Sequence, residues 1–425
     1  MAVPQAAARQ GGIRAAWAAA DAFPALSAAG FFWSHPEEGL RVAAFGVAAR
    51  HEGVSPRAVL DVPIDWPEGA PEPPGPWFGA IAFDPARALG AAWDGFAVGR
   101  WTLPETLAWS RSGRHYVATF GDGCERRLAS ALRAAKTQPH PAAPNTARLV
   151  VRPGDRERWH ALVNRALEEI RAGSLDKVVL ARALDVEAEG PLDTGSILAR
   201  LEERNPGCRT FLLRGDDGSA FLGATPETLC RIQGSTLRTE ALAGSARPGA
   251  AAELLGSQKD LREHRWVVDH LTFALQGLAT DEQHPREPAV RAFANVLHLH
   301  TPIRARLLPG RSVADVVAAL HPTPAVGGVP AAHALSFLAD HEDLDRGLYA
   351  GLVGWVGLGR AELAVALRSA VVRGSRARLF AGAGVVEGSS AEAEWAETAL
   401  KSRALLDALE VSQSPREAFA REGTA

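Results

Sequence analysis

The stretch AGAGVVEGSSAEAEWAETALK, residues 381–401, runs a glycine-rich apolar strand into a helix through two serines. Along that helix Glu394, Glu397 and Lys401 fall at i, i+3 and i+7, which is one face of a 3.6-residue repeat. Two carboxylates and an ammonium therefore stand together, facing either water or a ligand. Ser389 with Glu392 three residues on has the form of a capping box. The helix is thus expected to begin at Ser389 or Ser390, with Glu392 spent on backbone amides. Glu394 and Glu397 remain to be explained. KDLREHRWVVDH, residues 259–270, offers a second helical pair, Asp260 and Glu263, at i and i+3. Two helices that each present two carboxylates suit a hard divalent cation, and oxygen ligands without paired histidines select magnesium over zinc. On spacing alone such pairs more often mark a solvated acidic face. A di-iron bundle is set aside, because it needs Glu-x-x-His pairs in a four-helix array, whereas His264 follows Glu263 directly.

Working outward, residues 156–172 have helical periodicity and KVVLARALDVEA from Lys177 is a β-branched strand. RTFLLRG and SAFLGA follow as short strands, residues 251–279 read as one long helix, and 291–308 and 349–386 return to strand patterns. Consecutive strands between long helices favour an α+β fold of layered antiparallel sheets flanked by helices over a regular βαβ winding. PIDWPEGAPEPPGPW (63–77) reads as a proline-rich loop, and KTQPHPAAPNTA (136–147) as a connection. Residues 1–150 are expected to form a less constrained N-terminal part, integrated with a core over 151–425 into one large domain.

Composition narrows the function classes. The chain has 425 residues, 47% of them hydrophobic, enough for substantial cores. Its 49 acidic and 46 basic residues form no long single-sign block, so nothing suggests a nucleic-acid footprint or an anionic-membrane patch. A small-molecule partner is expected. Cys124, Cys208 and Cys230 lie far apart and in no CxxC pair, which speaks against a disulfide framework or structural zinc and for a reducing cytoplasm. The alanine-rich N-terminus, interrupted by Arg9, Arg14 and Asp21, has no window of the roughly 18 apolar residues that a membrane span needs.

Eight separated stretches point further: LDKVVLAR from Leu175, FLGATPETL from Phe221, TEALAGSARPG from Thr239, SQKDLREH from Ser257, NVLHL from Asn295, LHPTPAVGGVP from Leu320, RGLYAGLVGW from Arg346 and the opening stretch. In this order they resemble the chorismate-utilising enzymes, most closely their isochorismate synthase branch. The resemblance implies that the two acidic helix faces bind Mg2+, which holds the ring carboxylate of chorismate. Glu263 and Glu397 match direct ligands, and Asp260 and Glu394 match neighbours that bind directly or through water. Lys401 matches a residue on the ring carboxylate. Arg368 and Tyr349 match the positions that hold the enolpyruvyl carboxylate, for which a guanidinium offers a bidentate grip. Backbone amides at Gly244 and Gly384 would complete the cradle.

The branch is carried by two positions. Lys177 matches the general base of the water-adding enzymes, where aminating relatives usually carry glutamine. Ala243 occupies the slot in which aminodeoxychorismate synthases place a nucleophilic lysine. Glu227 matches the general acid that protonates the departing 4-hydroxyl, and His298 matches a site residue whose ring would donate a hydrogen bond near the reacting hydroxyl. Val326 lines the region of the nucleophile. His264, His270, His300 and His321 are expected to be structural or supporting. A free lysine titrates near 10.4 and a free glutamate near 4.3, so at neutral pH each starts in the wrong form for its role, and burial shifts both in the required direction. On spacing alone Lys177 reads as a solvated strand-entrance lysine and Glu227 as an exposed strand-end acid. The ordered motifs reverse both readings.

The resemblance thus implies an isochorismate synthase, Mg2+-dependent and monomeric, without a glutamine amidotransferase subunit, feeding menaquinone or siderophore biosynthesis. Salicylate synthase, which goes on to eliminate pyruvate, and a non-catalytic chorismate-binding subunit stay open as alternatives.

Overall fold

In the computed structural model, which describes residues 12–26, 28–134, 146–150 and 152–411, the strand Lys177–Ala188 pairs antiparallel with Arg376–Val386. Their register sets Lys177 opposite Val386 and Val179 opposite Gly384, so the glycine-rich half of the opening stretch lies beside the LDKVVLAR motif. Among the described residues this pair belongs to a 13-stranded sheet, and a second sheet has ten strands. The smaller sheet places Leu297–Leu307, Thr236–Ala246, Thr228–Gln233, Arg360–Val365 and Leu352–Gly357 side by side in that order. Nearly all of this pairing is antiparallel, as α+β layering requires.

Residues before 150 enter both sheets rather than forming a layer of their own. Phe31–His35 pairs with Arg209–Arg214 in the larger sheet, and Trp77–Ile81 pairs with Leu352–Gly357 in the smaller. The seam between the chain's first third and its remainder is therefore made of backbone hydrogen bonds. The apolar faces of the two sheets share one core. Trp33, Phe211, Phe221 and Phe380 from one meet Trp77, Phe78, Trp101 and Trp355 from the other, all at most 3% exposed. Trp93 stacks on Phe380 at 5.3 Å and meets Phe221 edge-on at 5.2 Å. On the outer face of the larger sheet, Ile197, Leu198 and Leu201 of Thr194–Arg204 and Leu405 and Leu406 of the closing helix cover Phe32, Leu212, Leu222 and Leu379.

The expected helix over 156–172 is present as Asp155–Ala172, and the short strands are Arg209–Arg214 and Ala220–Thr225. Three expectations are corrected. The single helix over 251–279 is two, Ala251–Gly256 and Gln258–Leu275, because Ser257 turns to extended backbone and its hydroxyl caps the second helix by accepting Asp260 N–H. The strand over 291–308 is two pieces, Ala289–Ala292 and Leu297–Leu307, which pair with each other. The closing helix, Ala391–Ala408, is capped by Ser390, whose hydroxyl accepts Ala393 N–H. Glu392 therefore sits one position short of the capping-box site, and its carboxylate goes to Arg156 at 2.7 Å on the surface. Positions 136–145 of the expected connection, and the first eleven residues of the N-terminal stretch, lie outside the described residues. Among the described residues no helix is long and apolar enough to cross a membrane.

Candidate active site

The two acidic helix faces do meet. Gln258–Leu275 packs over Thr236–Ala246 through Val267, Leu271 and Leu275, and the closing helix packs on Arg376–Val386. Between them a cavity is lined by Glu227, Gly244, Glu263, His298, Tyr349, Arg368, Gly384, Glu397 and Lys401, with Ala243 and Val326 in its wall. Glu394, at 1% exposed, faces inward as the resemblance implied, although it and Asp260 stand behind the lining. Lys177, fully buried, also stands behind it and reaches the site through Glu263.

Each glutamate of the acidic cluster is matched by a lysine. Lys177 Nζ lies 2.8 Å from Glu263 Oε1, Lys259 Nζ 3.1 Å from Glu394 Oε1, and Lys401 Nζ 2.7 Å from Glu397 Oε1. Lys401 also donates to the carbonyl of Gly382 at 3.1 Å. Lys259 belongs to the SQKDLREH stretch, but its role was invisible in sequence because its partner lies 135 residues away. The compensation is incomplete. Burial, and after it the neighbouring Glu397, push the Glu394 carboxyl above its ordinary range. Burial also raises Asp260, with Glu263 adding to the effect against a hydrogen bond from Ser257. Burial opposes the charge of Glu263 too, but Lys177 holds it below the usual carboxylate range.

A hard divalent cation fits this donor chemistry: the ligands would be carboxylate oxygens alone, and two of them are carboxyls whose charge the surroundings disfavour. With the lysines engaged as they are, no three His, Cys, Asp or Glu side chains among the described residues are gathered at ligand spacing. A bound cation would therefore have to draw Glu263 and Glu397 from Lys177 and Lys401.

Two glycines of the cavity wall let neighbouring acids approach the backbone. Gly244 has φ +70° at a bulge between Ala243 and Ser245, and a Cβ there would come within 3.1 Å of Asp260 Cβ. A Cβ on Gly384 would stand 2.6 Å from Glu263 Oε1.

Glu227 is 5% exposed and its backbone is clamped: its carbonyl accepts Val365 N–H at 3.1 Å, and the neighbouring Thr225 hydroxyl donates to Val365 O at 2.6 Å. Burial first, then the nearby Glu240, push its carboxyl up to about 8, against Lys177, Lys401 and Arg368. It is thus a neutral acid at pH 7, as its expected role demands.

His298 differs from expectation. Its Nδ1 lies 2.8 Å from Gly244 O, which only accepts, so Nδ1 carries the proton; its Nε2 then accepts from the Arg368 guanidinium at 2.8 Å. Burial, then Arg368 and Lys401, hold its pKa well below the ordinary value, so the ring is neutral. With the donor and the lone pair both engaged by protein groups, the ring is directed at Arg368. Tyr349, stacked on Phe380 at 5.3 Å, shares the cavity wall with Arg368.

A buried pair that sequence reading left unassigned holds the opposite wall. The Arg346 guanidinium meets Glu342 at 2.6 and 2.8 Å and donates to Val326 O at 2.9 Å and Val179 O at 2.6 Å. Glu342 also accepts Ala181 N–H at 2.8 Å, so the pair fastens the Lys177 strand to the Val326 loop. Arg346 opens the quoted RGLYAGLVGW motif, which was the available signal. Of the histidines expected to be structural, His264 bonds Thr301 at 2.8 Å and His270 reaches Leu320 O at 3.4 Å.

The sequence profile described as chorismate binding enzyme matches residues 16–410. The chain belongs to that family. The Pseudomonas aeruginosa protein named salicylate biosynthesis isochorismate synthase is 40% identical over 264 residues, which are 60% of this chain and 55% of that protein. The isochorismate synthase MenF of Bacillus subtilis is 32% identical over 349 residues, 78% of this chain and 74% of that one. The solved structure of MenF from Escherichia coli, a menaquinone-specific isochorismate synthase, superposes with a TM-score of 0.78 at 29% identity, over 94% of this chain and 95% of that one. The motifs that carried the resemblance are thus set in the fold of a known chorismate-binding enzyme.

Proposed function

We propose that this chain is an isochorismate synthase, adding water at C2 of chorismate as the C4 hydroxyl departs. The observation that supports it most is the pairing of a neutral buried acid, Glu227, with a buried lysine, Lys177, in one site that holds no second lysine free to act as an amine nucleophile, Ala243 standing in that slot. Lys177, as the neutral amine freed from Glu263, takes a proton from the attacking water as its oxygen bonds C2; Glu227 gives its proton to the C4 oxygen, which leaves as water while the ring double bonds shift. Arg368, aimed by His298, and Tyr349 hold the enolpyruvyl carboxylate, and Lys401 with the backbone at Gly244 and Gly384 cradles the ring carboxylate. Glu263 and Glu397, with Asp260 and Glu394 beside them, would hold Mg2+, which supplies positive charge for the ring carboxylate.

Incubation with chorismate and Mg2+ should give isochorismate in reversible equilibrium with its substrate, identified by chromatography, and added ammonium should leave the product unchanged. A lactate-dehydrogenase-coupled assay for pyruvate, run without added lyase, separates the salicylate synthase alternative. Stoichiometric pyruvate with fluorescent salicylate would replace the leading reading.

The activity is expected to disappear in EDTA. Glu263→Ala and Glu397→Ala should raise the Mg2+ concentration for half-maximal rate about tenfold or more. Glu392→Ala serves as the control: its carboxylate is on Arg156 at the surface, and losing such a pair costs at most about 1 kcal/mol. Equal metal requirements in all three variants would remove the acidic cluster from the metal site.

A further inference from the structure

Beside Glu227 stands a carboxylate, its side chain 11% exposed, that this chemistry does not use. Glu240, on Thr236–Ala246, accepts the backbone N–H of Thr228 on Oε1 at 3.0 Å. Its Oε2 lies 2.9 Å from Arg291 and 2.9 Å from His300 Nε2, and Arg209 stands 4.0 Å from Oε1. One carboxylate thereby joins Thr228–Gln233, Ala289–Ala292 and Leu297–Leu307 to its own strand. It does not line the substrate cavity.

We propose that Glu240 is a positioning residue for the general acid: it pins the backbone next to Glu227 and sets a fixed negative charge beside that carboxyl. The inference rests on Glu227 being the acid, as assigned above.

Geometry carries the first half. Val365 N–H fixes the carbonyl of Glu227, and Glu240 fixes the amide that follows it, so the residue is held from both strands that flank it. The charges around Glu227 carry the second. Lys177 on Lys177–Ala188, Lys401 on the closing helix and Arg368 after Arg360–Val365 all favour its ionised form. His298 is neutral, and Tyr349, Glu263 and Glu397 share the cavity wall, the two glutamates matched by their lysines. Glu240 is the neighbouring acid that works against the three cations. Although burial opposes its charge, the His300 hydrogen bond and the Arg209 and Arg291 guanidiniums hold its own pKa near about 2, so the charge persists at every working pH.

The test is a direct titration of Glu227 in carbon-13 glutamate-labelled protein without substrate, its carboxyl signal assigned by its loss in Glu227→Gln. Glu240→Gln retains an oxygen for Thr228 N–H but no charge. It should lower the Glu227 midpoint by about one pH unit. Arg291→Gln at the rim leaves the charge of Glu240 less compensated and should move the midpoint up. Kinetically, Glu240→Gln should cut kcat about fivefold at pH 8 while leaving kcat at pH 6 and KM within about twofold. An unmoved midpoint in Glu240→Gln, or a loss of rate uniform in pH, overturns the proposal. Should Glu240→Gln fail to fold by circular dichroism, Arg291→Gln decides: an upward shift supports the role, and a static or downward one overturns it. Because the titration needs no turnover, a wild type that shows the shift but makes no isochorismate would refute the functional reading separately.

Discussion

Lys177→Ala should lower kcat for isochorismate formation by at least about a hundredfold, the lower bound of a typical general-base contribution. The expectation rests on position. Lys177 is fully buried at the start of its strand, and the register with Val386 and Val329 leaves its side chain one direction, toward Glu263. Of the other lysines of the cluster, Lys401 is assigned to the ring carboxylate and Lys259, on Glu394, does not line the cavity, so neither is expected to substitute. Removing one partner of a buried pair also costs about 3–5 kcal/mol, so lost rate alone would not distinguish a base from a strut. Added primary alkylamines make the distinction. If Lys177 is the base, small amines entering the space it vacates restore rate in proportion to their basicity. If it only neutralises Glu263, lysine-to-glutamine substitution, which still offers that carboxylate a hydrogen bond, retains most of the activity. Retention of more than about a third of the wild-type rate in either variant would end the assignment.

The ion pairing shows how far the sequence alone could go. Helix periodicity placed Glu394, Glu397 and Lys401 on one face, and the structure keeps them there, because a short-range rule governs them. The resemblance assigned Glu227, His298 and Arg368 to one site, and the three line one cavity from distant segments. Which atom each group bonds was not legible. Lys259 finds Glu394 across 135 residues, Arg291 finds Glu240 across 51, and Arg346 reaches Val179 across 167, and such partners are selected by packing that no local pattern encodes. His298 is the sharpest case: its presence in the site followed from NVLHL, but its duty toward Arg368 followed only from the carbonyl of Gly244 occupying the other nitrogen. The capping box failed for a local reason. Two consecutive serines each offered a start, and the helix took the second, which moved Glu392 out of reach of the box. The N-terminal strands were illegible for another reason. Their pairing partners, Arg209–Arg214 and Leu352–Gly357, lie more than a hundred residues away, and strand propensity names no partner.

Glu227→Gln should reduce kcat by about a hundredfold or more with little change in KM, because the amide keeps the shape of the acid but has no proton to give to the departing hydroxyl. The wild-type pH dependence gives the same assignment a second reading. A carboxyl pushed up to about 8 is neutral, and so competent as an acid, below that value; the alkaline limb of the rate should therefore fall as pH rises through it. An acid in the ordinary carboxylate range would give the opposite picture, a rate already lost by neutral pH. In Glu227→Gln the residual rate should show no such fall, since the titrating group is gone. The two measurements constrain each other. A large loss in the variant with a wild-type fall that stays in place would assign the alkaline limb to another group, and a small loss would show that the hydroxyl departs without Glu227. Burial is the first cause of the raised value, so a change that wets the cavity without touching Glu227 should also move the limb toward lower pH. Val326→Ala, which opens the wall that Arg346 fastens, is such a change, and a limb that stays put in that variant would leave the charge of Glu240 as the dominant influence.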